Sequence, residues 1–460
     1  MAAMNSKLGI LQINSNELSG GAQRIAHNLF QTYRTGGHDS WLAVGHKISN
    51  DPDVLVIRHG AGRSHWARFW WSVHARCQAV DLNGRLSRWV ERIGEPAALL
   101  DYFQGVENFH YPGTWNVLRL PPRRPDILHC HNFHGDYFDL RALPKLSSEI
   151  PTVITLHDAW LLSGHCAHSL ECGRWKIGCG ECPDLARYPA LRTDGTAFNW
   201  RRKRDLYKNS RVYVAAPSQW LLSRVEESML ASAAIDRRVI PNGIDDEIFR
   251  PVDKRPVRAE LRLATDQRIL LFAANGIRAN IWKDYQTLRA AIERVAASPG
   301  CRDMLLIALG EDAPPERVGG AEIRFVPYQA SPAAVAKYYQ AADVYIHAAK
   351  ADTFPTTVIE ALACGTPVVA TSVGGIPEQI RGWDELGLPL NTWGLDEATG
   401  VLTPPGAAEE FAKAVGRLLE DEPARRRLAE NAAADARRRF SVKLQAETYL
   451  GWYREILEEA

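Results

Sequence analysis

Short runs of consecutive apolar residues alternate along this chain with stretches whose apolar positions fall three and four apart. Residues 7–14 (KLGILQIN) read as a buried strand, and the stretch after Gly20-Gly21 as a helix with Ile25, Ala26, Leu29 and Phe30 on one face. Residues 40–44 are the next strand, so the chain opens on a strand–helix–strand unit. Strands follow at 126–131, 152–157 and 212–218, with a helix from 220 to 229. The alternation starts afresh with strand 268–274, helix 284–297 and strands 304–309 and 322–326. Residues 341–380 are its densest part. There, strand 343–347 leads through a loop to helix 356–363, with Val358, Ile359, Leu362 and Ala363 on its apolar face. Gly365-Thr366-Pro367 stops that helix before a strand at 367–370. The pattern predicts an α/β protein of two doubly wound, Rossmann-like domains.

Composition agrees and narrows the class. A chain of 460 residues is too long for one ordinary core, and two domains of about 200 residues each is the natural division. Hydrophobic residues make up 46% and charged residues 24%, as in a soluble globular protein. A net charge of +1 gives no argument for nucleic acid as a partner. No run reaches the ~18 apolar residues of a membrane span, and the N-terminus lacks a signal core, so the expected compartment is the cytoplasm.

The polar residues that could carry chemistry gather at strand ends. Strand 126–131 ends in His131, with Asn132, Phe133 and His134 beyond it, and strand 152–157 ends in His157, followed by Asp158. A single such histidine is most often packed or capping; two strand ends with polar groups at one sheet edge point to a cleft. Gly20 and Gly21 place backbone N–H groups and a helix N-terminus at that edge, a good pyrophosphate site, although the Gly-x-Gly-x-x-Gly fingerprint of dehydrogenases is absent. Between Arg58 and Gly94, seven arginines oppose two acids, and Trp66, Phe69, Trp70, Trp71 and Trp89 interleave with them. Two core-packed helices with a solvated arginine face are favoured over a patch lying on anionic lipid.

The segment Asp352-Thr353-Phe354 followed by Glu360-Ala361 resembles the donor-binding segment of the family-4 retaining glycosyltransferases. The resemblance covers nearly the whole chain, most strongly 268–380. It implies the GT-B architecture: two domains facing across a cleft, 1–235 on the acceptor side and 236–440 binding the donor, with 441–460 crossing back to complete the first. The implied activity is transfer of a sugar from a nucleoside diphosphate sugar with retained configuration. By the same resemblance Glu360 holds the ribose, Asp352 meets the sugar, and Thr353 and Phe354 belong to the donor-binding segment. Arg278 and Lys283 face the diphosphate, backbone groups at Val326 meet the base, and Gly20-Gly21 lie near the phosphates. His131, with Asp352 and Lys283, belongs to the reacting centre. Two departures are visible: the first acid is Asp352 where the family usually has Glu, and Pro355 lacks a backbone N–H. Thr155-Leu156-His157-Asp158, with Trp160, is similar to a subgroup making bacterial surface polysaccharides, which puts His157 and Asp158 on the acceptor side. The acceptor expected is a saccharide or lipid-linked saccharide, with peripheral contact with the inner face of an anionic membrane as an option. No cofactor is required, because Lys283, Arg278 and helix N-termini supply positive charge at the diphosphate. A non-catalytic sugar-nucleotide-binding subunit and a nucleotide-sugar epimerase are the alternatives.

Of eight cysteines, Cys166, Cys172, Cys179 and Cys182 lie within seventeen residues, and 77, 130, 301 and 364 are scattered. Cys179 and Cys182 form a Cys-x-x-Cys turn flanked by glycines, whereas the first pair is spaced more widely than a standard zinc finger. Disulfides are disfavoured in a cytoplasmic protein, and a redox pair needs only the Cys-x-x-Cys. A structural zinc ion, with His165 or His168 able to replace Cys166 or Cys172, stands beside free thiols as the open reading.

Overall fold

The computed structural model describes residues 7–78, 90, 93–298, 301, 303–384 and 392–459, with the backbone alone at 61, 75, 77 and 78. The chain divides into two compact units. The first comprises Met1–Pro217, Leu221–Ile240 and Thr448–Ala460, and the second Ser218–Trp220 and Pro241–Glu447.

The first unit is built on seven strands: β1 (Gly9–Asn14), β2 (Asp39–Val44), β3 (Val54–Val56), β4 (Ile127–Cys130), β5 (Thr152–Thr155), β6 (Val212–Ala216) and β7 (Ala234–Val239). They form one parallel sheet in the order β3-β2-β1-β4-β5-β6-β7. β1, β4, β5 and β6 are buried along their whole length, which is why they read as apolar runs rather than as alternating patterns. The strand order reverses between β1 and β4, so the chains leaving these two strands turn to opposite faces and leave a crevice at their carboxyl ends. Gly20-Gly21 follow β1, and His131 follows β4.

The last helix, Val442–Glu459, joins this unit from Thr448 onward. Tyr449 and Tyr453 are fully buried there. Tyr453 donates to His129 Nδ1 or accepts from it at 2.6 Å, and His129 Nε2 lies 2.7 Å from the Thr155 hydroxyl, itself 2.6 Å from the Tyr449 hydroxyl. His129 therefore ties the C-terminus to β4 and β5. Burial holds its imidazole neutral, with a pKa pushed down to about 3.

The second unit repeats the design with β8 (Ile269–Ala273), β9 (Leu305–Leu309), β10 (Glu316–Val318), β11 (Ala321–Val326), β12 (Val344–His347), β13 (Val368–Thr371), β14 (Gly382–Trp383), β15 (Thr392–Trp393) and β16 (Gly400–Thr403). The order is β10-β11-β9-β8-β12-β13-β16-β14-β15, parallel except for the β10–β11 hairpin. Its reversal point lies between β8 and β12. Helix Tyr285–Ala296 buries Leu288, Ala291, Ile292 and Val295 on one face of the sheet, and helix Thr356–Ala363 buries Val358, Ile359 and Leu362 on the other.

The region from 58 to 94 departs from the favoured packing. Helix His65–Gln78 buries Ala67 and His74, while Trp66 is 54% and Phe69 59% exposed. Trp70 and Trp71 are half-buried, so burial accounts for part of the aromatic content of this helix and not for Trp66 or Phe69. Asp81, Arg85, Arg88, Trp89, Glu91, Arg92 and the Cys77 side chain lie outside the described residues.

Candidate functional site

In the second unit, the loops leaving β8 and β12 meet at the reversal point. Trp282 accepts a backbone bond from Lys350 (2.9 Å), and Asp284 donates one to Ala348 (3.0 Å), clipping the two loops together. This places the Lys283 ammonium 2.6 Å from Asp352 Oδ2 and 3.2 Å from Nε2 of His347, the last residue of β12. Burial would raise the Asp352 carboxyl, but the Lys283 charge holds it well below the usual carboxylate range. Burial and the same Lys283 charge push His347 down to about 4, so its Nε2 is a neutral acceptor for the ammonium. The Tyr345 hydroxyl lies 3.1 Å from His347 Nδ1.

The Asp352 backbone is cradled by the turn after β13. A Cβ at Gly374, whose φ is +58°, would stand 1.7 Å from the Asp352 carbonyl oxygen; one at Gly375 would stand 2.0 Å from that of Thr353. Only glycines allow this approach. Thr353 and Phe354 are buried beneath the loop. Eight residues beyond Asp352, Glu360 is half-buried on helix Thr356–Ala363 and accepts from the Tyr339 hydroxyl at 2.9 Å. It is thus neither an ordinary solvated glutamate nor a core residue.

Two expected donor contacts are arranged differently. Arg278 donates through Nε to Glu311 at 2.6 Å, and its backbone N–H donates to the same carboxylate at 2.8 Å. Its guanidinium also sits 5.0 Å from the Phe325 ring centre. The acid of the next loop has claimed the arginine. The Val326 carbonyl already accepts from the N–H groups of Gly310 (2.8 Å) and Glu311 (3.2 Å), so it is committed within the fold.

In the first unit, the strand-end histidines form a relay. His131 Nε2 is 2.9 Å from Gln12 Oε1, and His131 Nδ1 is 3.0 Å from His157 Nε2. With Nε2–H donating to Gln12, Nδ1 accepts from His157 Nε2–H, which leaves His157 Nδ1 as an acceptor. His131 is buried and His157 half-buried, so His157 is the accessible end. Burial, reinforced by the neighbouring histidines, pushes His131 well down, and burial takes His157 to about 4; both are neutral at pH 7. Alongside, His134 Nε2 lies 2.7 Å from Asp158 Oδ2. Burial works against this ion pair at both ends. Yet Asp158 keeps the His134 pKa raised, and His134 with the Trp160 N–H holds Asp158 at about 2. Gly20 takes a φ of +125° at the N-cap of helix Gly21–Thr35, so the turn there requires glycine.

Beside His134 opens a cavity of about 400 Å³ lined by Tyr102, Glu107, Asp136, Trp160 and Tyr188 among others. Below it, the Lys203 ammonium is fully buried against Glu107 (3.0 Å) and the carbonyls of Trp160 (3.0 Å) and Ser163 (3.1 Å). Nothing in the periodicity marked Lys203, because its partner Glu107 lies on a distant segment. Cys166, Cys172, Cys179 and Cys182 are free thiols that line a second, small cavity.

Residues 19–248 match the family model described as Glycosyltransferase Family 4, and residues 312–435 that described as Glycosyl transferases group 1. The D-inositol 3-phosphate glycosyltransferase of Segniliparus rotundus is 34% identical over 232 residues, 48% of this chain and 47% of that protein. The chain spans about half the length of the curated relatives it matches. The sucrose-phosphate synthase of Thermosynechococcus elongatus superposes with a TM-score of 0.61 at 19% identity over 99% of this chain and 100% of that one. Anabaena HepE in complex with UDP and glucose does so with a TM-score of 0.59 at 16% identity, over 96% and 98%. These likenesses assign the two doubly wound units to the GT-B fold. With one model matched across half of its length, the chain belongs to glycosyltransferase family 4.

Proposed function

We propose that this protein moves a sugar from a nucleoside diphosphate sugar to a hydroxyl of a saccharide or lipid-linked saccharide, with retained configuration. The reaction would serve polysaccharide or glycolipid biosynthesis. The observation that carries this reading is the Lys283 ammonium 2.6 Å from the Asp352 carboxylate at the reversal point of the second sheet, with Glu360 on the helix that follows. In this reading Glu360 accepts from the ribose hydroxyls and Asp352 meets the transferred sugar, while buried Thr353 and Phe354 shape the loop that presents it. Lys283 opposes the charge that develops on the diphosphate as its bond to the anomeric carbon breaks. The acceptor oxygen bonds to that carbon from the same face, and the departing phosphate oxygen takes its proton. Neither a protein base nor a metal at the diphosphate is then needed. Arg278, paired with Glu311 as Lys283 is with Asp352, is the second cation of that loop for the diphosphate.

The cavity beside His134 is assigned to the acceptor. Its aromatic walls, Tyr102, Trp160 and Tyr188, suit sugar faces, and its carboxylates, Glu95, Glu107 and Asp136, suit hydroxyl donors. Its cation Arg63 is already paired with Glu95 at 2.6 Å. The relatives are named for D-inositol 3-phosphate, an anion; here the cations at the cavity, Arg63 and His134, are already paired with Glu95 and Asp158, which favours a neutral saccharide. Exposed Trp66 and Phe69, with Arg68 between them, favour peripheral contact with an anionic membrane.

A thermal-shift screen against UDP-, GDP-, ADP- and TDP-sugars tests the reading, because a ligand bound only to the native state raises Tm. NMR of the product from the stabilising donor then reads its anomeric configuration. One stabilising donor and a product of the same configuration are expected. Inversion, or isomerised donor, would overturn the proposal.

A further inference from the structure

We infer that Cys166, Cys172, Cys179 and Cys182 hold a structural zinc ion that fixes one wall of the acceptor cavity; nothing in this inference depends on the donor site. From the end of the short 3-10 turn Trp160–Leu162 to helix Thr196–Tyr207, the chain forms no strand and only one more such turn, Arg174–Lys176. It buries few apolar side chains, Ala167 and Trp175 among them. A segment this long with so little apolar burial needs another source of order.

The side chains that converge are sulfurs. All four cysteines and His165 line one cavity of about 20 Å³, close to the room a single ion or water requires. The Cys-x-x-Cys turn has a backbone suited to ligation: Gly178, Cys179, Gly180 and Glu181 all have positive φ, at 149°, 54°, 92° and 46°. Two of these are not glycine, and such conformations are strained unless the surroundings enforce them. The Gly164 N–H already donates to Cys179 Sγ at 3.3 Å, as backbone donors do toward thiolates. Arg187 and Arg224 reach into the same loop, donating to the Ser169 carbonyl (2.7 Å) and hydroxyl (3.0 Å). Their positive charge lies on the side of the loop where four thiolates around a zinc would leave two negative charges.

As the side chains stand, no three His, Cys, Asp or Glu residues among those described form a group able to share one ion. The sulfurs must therefore close on the cavity by rotating between staggered positions. Binding exchanges four thiol protons for one Zn²⁺ and makes four Zn–S bonds of about 2.3 Å. His165 stands beside the sulfurs: its Nε2 lies 3.3 Å from Cys182 Sγ, and its Nδ1–H donates to the Pro189 carbonyl at 3.0 Å. Pro189, with Tyr188, Ala190 and Leu191, lines the acceptor cavity, so order at the cysteines passes directly to that wall.

Metal analysis of the full chain, purified under reducing conditions without chelator or added metal, should find about one zinc per chain. The Cys179→Ser/Cys182→Ser double variant should lose it, and His165→Ala should keep it. Should the double variant not fold, cobalt exchanged into the unaltered protein should show thiolate-to-metal charge-transfer absorption with the strong bands of a tetrahedral site. Folded protein with less than a tenth of an equivalent of zinc, or without those cobalt bands, would overturn the inference.

Discussion

Lys283 donates to Asp352 across 2.6 Å although the two stand 69 positions apart, because β8 and β12 are neighbours in the sheet and each ends in the loop that carries one of them. The pair leaves the ammonium at a strand-end crevice, where a phosphate can compete for it. Lys283→Ala is expected to weaken the donor by about 1.5–3 kcal/mol, roughly 10- to 160-fold in Kd, the worth of a charge-assisted contact. Titration of the stabilising donor checks this, and an unchanged Kd in folded protein would remove Lys283 from the site.

Glu360→Ala should cost a similar factor, and Tyr339→Phe a smaller one. The tyrosine only fixes the carboxylate by one hydrogen bond, worth about 0.5–1.5 kcal/mol. If Tyr339→Phe lost more affinity than Glu360→Ala, the order of roles would be reversed.

Gly374→Ala should both destabilise the second unit and weaken the donor. The added Cβ would meet the Asp352 carbonyl at 1.7 Å, and the left-handed φ adds a strain of about 1–3 kcal/mol. Denaturant unfolding and donor titration measure the two effects. A variant as stable as the parent, with the same Kd, would show that the turn does not cradle Asp352.

The His134–Asp158 pair gives stability a defined pH dependence. His134 has a raised pKa, so its contribution is full below its unfolded value of about 6.5 and is lost as pH rises through the folded one. Asp158 is held down at about 2, so its share is fully present above the unfolded value of about 3.9 and is lost as pH falls from there through the folded one. The stability difference between the parent and His134→Gln should therefore shrink on going from about pH 6 to about pH 9. Unfolding free energies across that range test the sign; a difference that grew with pH would contradict it.

What could be read from the sequence follows the reach of local patterns. Helix Thr356–Ala363 and both reversal-point loops were legible because their apolar spacing and polar residues lie within short stretches. His129 was not separable from His131 by sequence. Its lock is Tyr453, 324 positions away. Arg278 was assigned to the diphosphate by its place in the loop; its partner Glu311, 33 positions on, was not legible there. Trp66 and Phe69 were expected to be buried because aromatics usually are; only the fold reveals that each packs one edge against Trp70 and leaves more than half of its surface exposed. Serine at both positions should reduce sedimentation with anionic vesicles at low salt, and equal binding of anionic and neutral vesicles by the parent would return the patch to ordinary surface.

The central claim is that the Lys283–Asp352 site drives cleavage of a nucleoside diphosphate sugar. The direct measurement is release of nucleoside diphosphate by the parent protein and by Lys283→Ala, each saturated with the stabilising donor and offered a panel of neutral saccharide acceptors. Acceptor-dependent release by the parent, lowered at least tenfold in the variant, is the predicted result. Equal release by both proteins, or donor bound by the parent with no release under any acceptor, would contradict it.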